Sequence, residues 1–243
     1  MSDARQIDAE LATRIGWMRT GTAFFAAQLA SLSDAALSEP SQLPGWTRRH
    51  VVSHIANNAA ALLNLLDWAR TGIETPMYPS PAARAADIES GSQRAAAELR
   101  ADALASAERL AAAVDAMPAD GWDAPIRTAL GRATSGADVP WMRTREVWVH
   151  GVDLGAGATF ADVDRAVAAA LLDEAARSFA GRGDCPAARL IMSDGESFGI
   201  GPMGRPATEV RGGMHSLAAW LLGRSDGSDL ETLGLLPVLP NWL

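Results

Sequence analysis

Apolar and polar positions follow a helical period along roughly the first 155 residues. Leu11, Ile15, Met18, Phe25 and Leu29 recur at spacings of three, four and seven, which puts them on one face of a helix from Ile7 through Leu32. LPGWT breaks the pattern, and Thr47 is placed to cap a second helix running through VVSHIANNAAALLNLLDWAR to about Arg70. TGIETPMYPSP, with its Pro and Gly residues, follows as a loop. The Ala- and Leu-rich run from about Arg84 to Met117 predicts a third helix, about 50 Å long at 1.5 Å per residue, with Gly91 as its weak point. MPADGWD ends that helix. Pro140 then sits in the first turn of a fourth, WMRTREVWVHGVDL. Four helices in this order predict an antiparallel bundle.

After GAGATF the texture changes. Residues 162–181 predict one more helix. ARLIMSDG, ESFGIG and ATEVRG then predict short strands between Gly-rich turns, GMHSLAAWLLGR a further helix, and LLPVLPNWL a strand or an extended tail. The expected fold class is α+β: a four-helix bundle over residues 1–157, then a small α+β domain over residues 158–243. No internal repeat or low-complexity linker interrupts the chain.

Composition narrows the function classes. The chain has 243 residues, 48% hydrophobic and 21% charged, ordinary for a soluble globular protein. Its net charge is −8, and all 21 basic residues are arginine. An acidic chain without a basic block argues against binding nucleic acid or an anionic membrane. MSDARQIDAE lacks the pattern of a secretory signal, and no apolar run approaches the ~20 residues that span a bilayer. The lone Cys185 cannot form an internal disulfide. Lying in RGDCPAARL with no histidine nearby, it reads as a connector residue and not a nucleophile. A cytoplasmic monomer is expected.

The chemistry concentrates in three residues. Glu146 and His150 lie four apart, hence on one helix face, and His54 lies 92 positions earlier (146 − 54) in another predicted helix. Two facing helices of a bundle would bring the three together around one ion. Two neutral imidazoles and one carboxylate suit zinc and leave coordination open for a water or substrate; iron(II) sites use the same ligand types. An ExxxH pair also occurs by chance on solvated faces, so on the residues alone the bland reading stands beside the functional one. His50 offers a second same-face pair with His54. It falls in the first turn after Thr47 and is expected at the surface, with His54 the ligand. Asp153, three residues after His150, could orient that imidazole or serve only at the helix end; Asn57 and Asn58 have similar standing, and His215 is expected to be structural. Arg224 follows Gly223 at a helix stop, where it is either a surface cation favoured by the helix's negative end or a clamp for a carboxylate.

PGWTRRHVVSHIANNAAALL, TPMYPSPAAR, REVWVHGVDL and WLLGR, in that order, resemble the mycothiol-dependent maleylpyruvate isomerase family, over almost the whole chain including the terminal NWL. The resemblance implies a DinB-like bundle followed by a domain similar to sterol carrier protein. It implies zinc held by His54, Glu146 and His150, mycothiol as thiol cofactor, and Arg224, with His54, required for activity. The implied reaction is the cis–trans isomerisation of maleylpyruvate to fumarylpyruvate in gentisate catabolism. A thiolate adds to the conjugated double bond, the resulting single bond rotates, and elimination restores the alkene. Arg84 and Tyr78 are weaker candidates for contacts with either small molecule. Competing expectations are a zinc- and mycothiol-dependent S-transferase, a non-enzymatic small-ligand-binding protein, and a metal-dependent hydrolase.

Overall fold

The computed structural model describes the backbone of residues 2–242 and the side chains of residues 9–242. The chain divides into two compact units, Met1–Gly157 and Ala158–Leu243.

In the first unit, α1 (Ser2–Ser31), α2 (Arg48–Thr71), α4 (Ala96–Asp115) and α6 (Val139–Asp153) form the bundle. α1 packs on α6, α6 on α2, α2 on α4 and α4 on α1. The register of α1 follows its apolar pattern: Leu11, Met18, Phe25 and Leu29 are buried at spacings that keep one face inward. Gly21 lets α1 and α6 approach closely, because a Cβ there would lie 2.6 Å from Trp148 and Val147 side-chain atoms. Between the helices, Met18, Leu62, Leu65, Leu66, Leu110, Val114 and Met142 make a continuous apolar core. Burying one such side chain contributes about 1.5–3 kcal/mol.

The long third helix expected between Arg84 and Met117 is two helices. α3 (Pro81–Ser92) packs on α2 and ends before α4 begins at Ala96. Gly91 is pressed against Ser53 of α2, whose hydroxyl donates to the Ile88 carbonyl at 2.9 Å. Arg49, also on α2, donates to the Ser92 carbonyl at 2.6 Å and to the Arg94 carbonyl, satisfying acceptors that the helix break exposes. Periodicity alone carries no trace of these tertiary partners. MPADGWD contributes a short helix, α5 (Ala119–Asp123), followed by an unanticipated antiparallel hairpin of β1 (Pro125–Arg127) and β2 (Ala133–Ser135). At the start of α6, Asp138 receives hydrogen bonds from Thr134 and from Arg14 of α1.

The second unit opens with a 3-10 turn at Phe160–Asp162, and α7 spans Arg165–Phe179. It starts three residues later than expected because the Asp164 carboxylate caps it, accepting from the backbone of Ala166 and Val167. A four-stranded sheet follows in the order β4 (Ser197–Ile200), β3 (Ala188–Met192), β5 (Thr208–Gly212), β6 (Glu231–Thr232). β3 runs antiparallel to β4 and parallel to β5. α8 (Met214–Leu221) packs on α7 and on the two central strands, burying Leu217 and Leu221 with Leu190 and Val210. The helix ends at Gly223, in the left-handed region at φ 69°, as its position before Arg224 leads one to expect. Of the C-terminal segment, residues 233–242 form no strand. Leu243, the last residue of the expected tail, lies outside the described residues. The α+β class holds: a helical bundle followed by a small sheet with its helices.

Candidate metal centre

α2 begins where the apolar pattern predicts, and its first turn uses one of its two histidines as a cap partner. Thr47 is the N-cap; its backbone N–H donates to Nδ1 of His50 at 3.2 Å, and its hydroxyl lies 2.7 Å from the same nitrogen. His50 is spent on that cap and on Glu89, 3.1 Å from its Nε2. One turn further in, His54 is buried, 3% exposed, and its ring points to α6.

Pro140 opens α6 without wasting a donor. Its 3.6-residue period then carries Arg143, Glu146 and His150 along one face toward α2. Nε2 of His54 lies 2.9 Å from Oε2 of Glu146 and 3.1 Å from Nε2 of His150, and that nitrogen lies 3.3 Å from Oε2 of Glu146. Among the described residues this trio is the one group of His, Cys, Asp or Glu side chains close enough to hold a metal ion together. Two ligand atoms of a tetrahedral zinc with bonds of about 2.0 Å stand about 3.3 Å apart. The three edges observed are near that value, and the donor chemistry is two imidazoles and a carboxylate, so zinc fits. Three protein ligands leave a fourth position open.

The surroundings are polarised. Burial pushes His54 down, against the Glu146 carboxylate beside it. Burial likewise opposes charge on His150, yet Asp153 and Glu146 outweigh it and bring the ring up to about 9. Glu146 itself is held well below the usual carboxylate range; burial works against this, and hydrogen bonds from both histidines prevail. Asp153 is fully buried with Oδ2 2.8 Å from Nδ1 of His150, so it acts as the acceptor that orients the ring. That decides between the two roles open to it. Trp46, from the LPGWT loop, lies edge-on to the His54 ring with centroids 5.7 Å apart.

Two arginines flank the trio. Arg143 is 1% exposed and donates through NH1 to the Ile55 carbonyl and to Asn58 Oδ1, each at 2.8 Å, tying α6 to α2 beside His54. Its Nε is buried without a partner. Burial lowers this guanidinium to about 10, with Glu146 and Tyr78 opposing. Sequence reasoning passed over Arg143, although its place one turn before Glu146 was a usable signal; Asn58 is explained by it. Arg84, in the first turn of α3, donates through NH2 to Nδ1 of His54 at 3.3 Å and lies over the Tyr78 ring, 5.7 Å from its centroid.

The remaining candidates belong to the second unit. Arg224 is partly buried just past α8, where NH1 donates to the Leu222 carbonyl at 2.7 Å. His215 makes a structural bond, with Nε2 2.9 Å from the Val163 carbonyl oxygen. Cys185 is buried, and burial pushes its thiol up, away from the reactive thiolate.

Residues 18–155 match the family described as mycothiol maleylpyruvate isomerase, N-terminal domain. Two solved structures share the whole architecture: a mycothiol-dependent maleylpyruvate isomerase and a histidine-to-alanine mutant of it. Each has a TM-score of 0.91 and 35% identity, covering 96% of this chain and 97% of the other. A search of curated proteins gave no match. With more than half of its length in the family's domain and an isomerase of 35% identity matching nearly end to end, this chain belongs to the mycothiol maleylpyruvate isomerase family of enzymes.

Proposed function

We propose that the protein isomerises maleylpyruvate to fumarylpyruvate, with mycothiol as thiol cofactor and a zinc ion held by His54, Glu146 and His150. The place of this reaction in gentisate catabolism, and a monomer working in the cytoplasm, are parts of the same proposal. The observation that carries it is the triangle of donor atoms on α2 and α6, three edges of 2.9–3.3 Å with one position left open, in a chain of this family.

Rotation about a carbon–carbon double bond needs temporary single-bond character, which reversible addition of a thiolate provides. The chain supplies no reactive thiol of its own, because Cys185 is buried in the second unit and its thiol is pushed up. Zinc bound at the trio supplies the means of keeping an added thiol as thiolate near neutral pH. Asp153 holds the proton of His150 on Nδ1, leaving Nε2 to face the site. Arg143 keeps α2 and α6 at the separation the three donors need. The wall formed by Trp46 and the apolar face of α2 limits water around His54. Arg224 is proposed as necessary for turnover, its guanidinium suited to a substrate carboxylate or developing enolate charge.

Metal analysis of the purified protein, beside a maleylpyruvate assay with and without mycothiol, tests this reading. Near-stoichiometric zinc, thiol-dependent isomerisation and recovery of free thiol are expected. Stoichiometric loss of thiol would replace the isomerase with a thiol S-transferase. His54→Ala is expected to lose both metal and turnover, and Arg224→Ala to keep zinc while losing turnover.

A further inference from the structure

The two imidazoles of the trio are supported differently. Behind His150 stands a carboxylate, Asp153, which accepts from Nδ1. Behind His54 stands a guanidinium, Arg84, which can only donate, 3.3 Å from Nδ1. In this arrangement Nδ1 of His54 is the acceptor and its proton sits on Nε2, directed at Glu146. An imidazole that gives Nε2 to a metal carries its proton on Nδ1 and needs an acceptor there, as metal-bound histidines almost always have. Two donors would then face each other, so Arg84 has to turn away. It is a half-buried cation with no carboxylate partner among the described residues; its other contacts are the Tyr78 ring and hydroxyl.

We propose that Arg84 is the anchor for a carboxylate group of the substrate, released from His54 when a metal takes Nε2. The same carboxylate, held by the guanidinium fork, lies where it can accept the Nδ1–H of His54. The anion thereby completes for His54 the support that Asp153 gives His150. This rests on the isomerase reading for the identity of the substrate, a small dicarboxylate. Arg84 is thus a binding residue whose availability is coupled to metal occupancy. Metal and anion strengthen each other's binding, and Arg84 carries that coupling.

The test uses the full chain, maleate as a dicarboxylate probe without thiol, and two variants, Arg84→Met and Arg84→Lys. Calorimetry on zinc-loaded protein is expected to show maleate binding weakened roughly 10- to 100-fold in Arg84→Met, with Arg84→Lys in between. Zinc affinity without maleate is expected to be equal or higher in Arg84→Met, because the competing donor at Nδ1 is gone. In the wild type, nitrogen-15 imidazole shifts are expected to show the proton of His54 moving from Nε2 to Nδ1 on zinc loading. In turnover, Arg84→Met is expected to raise KM far more than it lowers kcat. Maleate affinity within twofold of wild type, or weaker zinc binding in Arg84→Met, would overturn the proposal. If the wild type turns over no maleylpyruvate while maleate binding still depends on Arg84, the anchor stands and the isomerase reading falls. If turnover is present and Arg84→Met changes neither KM nor maleate affinity, the anchor alone falls.

Discussion

Replacing Asp153 by asparagine is expected to loosen metal binding while leaving the bundle folded. Asp153 is a fully buried carboxylate near the C-terminal end of α6, where the helix dipole disfavours negative charge by about 0.3–1 kcal/mol. It is offset there by the His150 ring, 2.8 Å away through Nδ1. Asparagine keeps the shape and an acceptor oxygen, so packing and ring orientation survive, and its backbone carbonyl still accepts from Gln42. What goes is the charge, and with it about half the strength of a charge-assisted bond. Changes in the support behind a metal-bound histidine typically cost about 10- to 100-fold in metal affinity, or about 1.4–2.7 kcal/mol. Alanine goes further, because it leaves a buried Nδ1–H without an acceptor, an added cost of about 1–3 kcal/mol. Chelator competition should therefore rank zinc affinity as wild type, then Asp153→Asn, then Asp153→Ala. Thermal melts of the metal-free proteins should show a clear loss for alanine only. Zinc affinity of Asp153→Asn within threefold of wild type would refute the assignment of Asp153 as the group that orients His150.

Two further outcomes follow from contacts outside the trio. Gly91→Ala improves helix propensity by about 1 kcal/mol, yet its Cβ would overlap the Ser53 hydroxyl, so a net loss of about 1–2 kcal/mol is expected in denaturant melts. The double variant with Ser53→Ala should regain part of it, and a stabilised Gly91→Ala would show that α2 and α3 are not in the close contact described. Burial works against ionisation of Asp138, but Thr134 and Arg14 hold its carboxyl below the usual value. A depressed folded-state value stabilises above the unfolded pKa of about 3.9, and that contribution disappears as pH falls through the folded value. Asp138→Asn is thus expected to cost about 1 kcal/mol at pH 7 and little at the acid end of the transition; a cost independent of pH would contradict this.

Helical periodicity in the sequence revealed α1, α2 and α6 with little error, because each buries one continuous apolar stripe. It put Glu146 and His150 on one face and allowed His54 to meet them across a bundle, but only the family resemblance singled out the three together over the bland reading. What it hid shares a cause. The break between α3 and α4 depends on Ser53 and Arg49 reaching across from α2, and those partners are some forty residues away in the chain. The β1–β2 hairpin has three-residue strands, too short to show an alternating pattern. Arg143 drew no notice in the sequence; only the Ile55 carbonyl and Asn58 side chain opposite it explain a buried guanidinium. The sequence offered Arg84 only as a weaker candidate for a small-molecule contact; its bond to His54 depends on which ring nitrogen faces which neighbour, and no sequence pattern shows that.

The distance along the chain between His54 and Glu146 has a consequence for the protein's synthesis. At about 5–20 residues per second, the ribosome needs roughly 5–18 s to add the 92 positions separating the first donor of the trio from the second. Through that interval a nascent chain carries His54 and its α2 neighbour His50, but neither of the two donors on α6. The three donors of the proposed zinc site meet only when α6 docks, so the ion would be acquired by the assembled bundle and not by the growing chain.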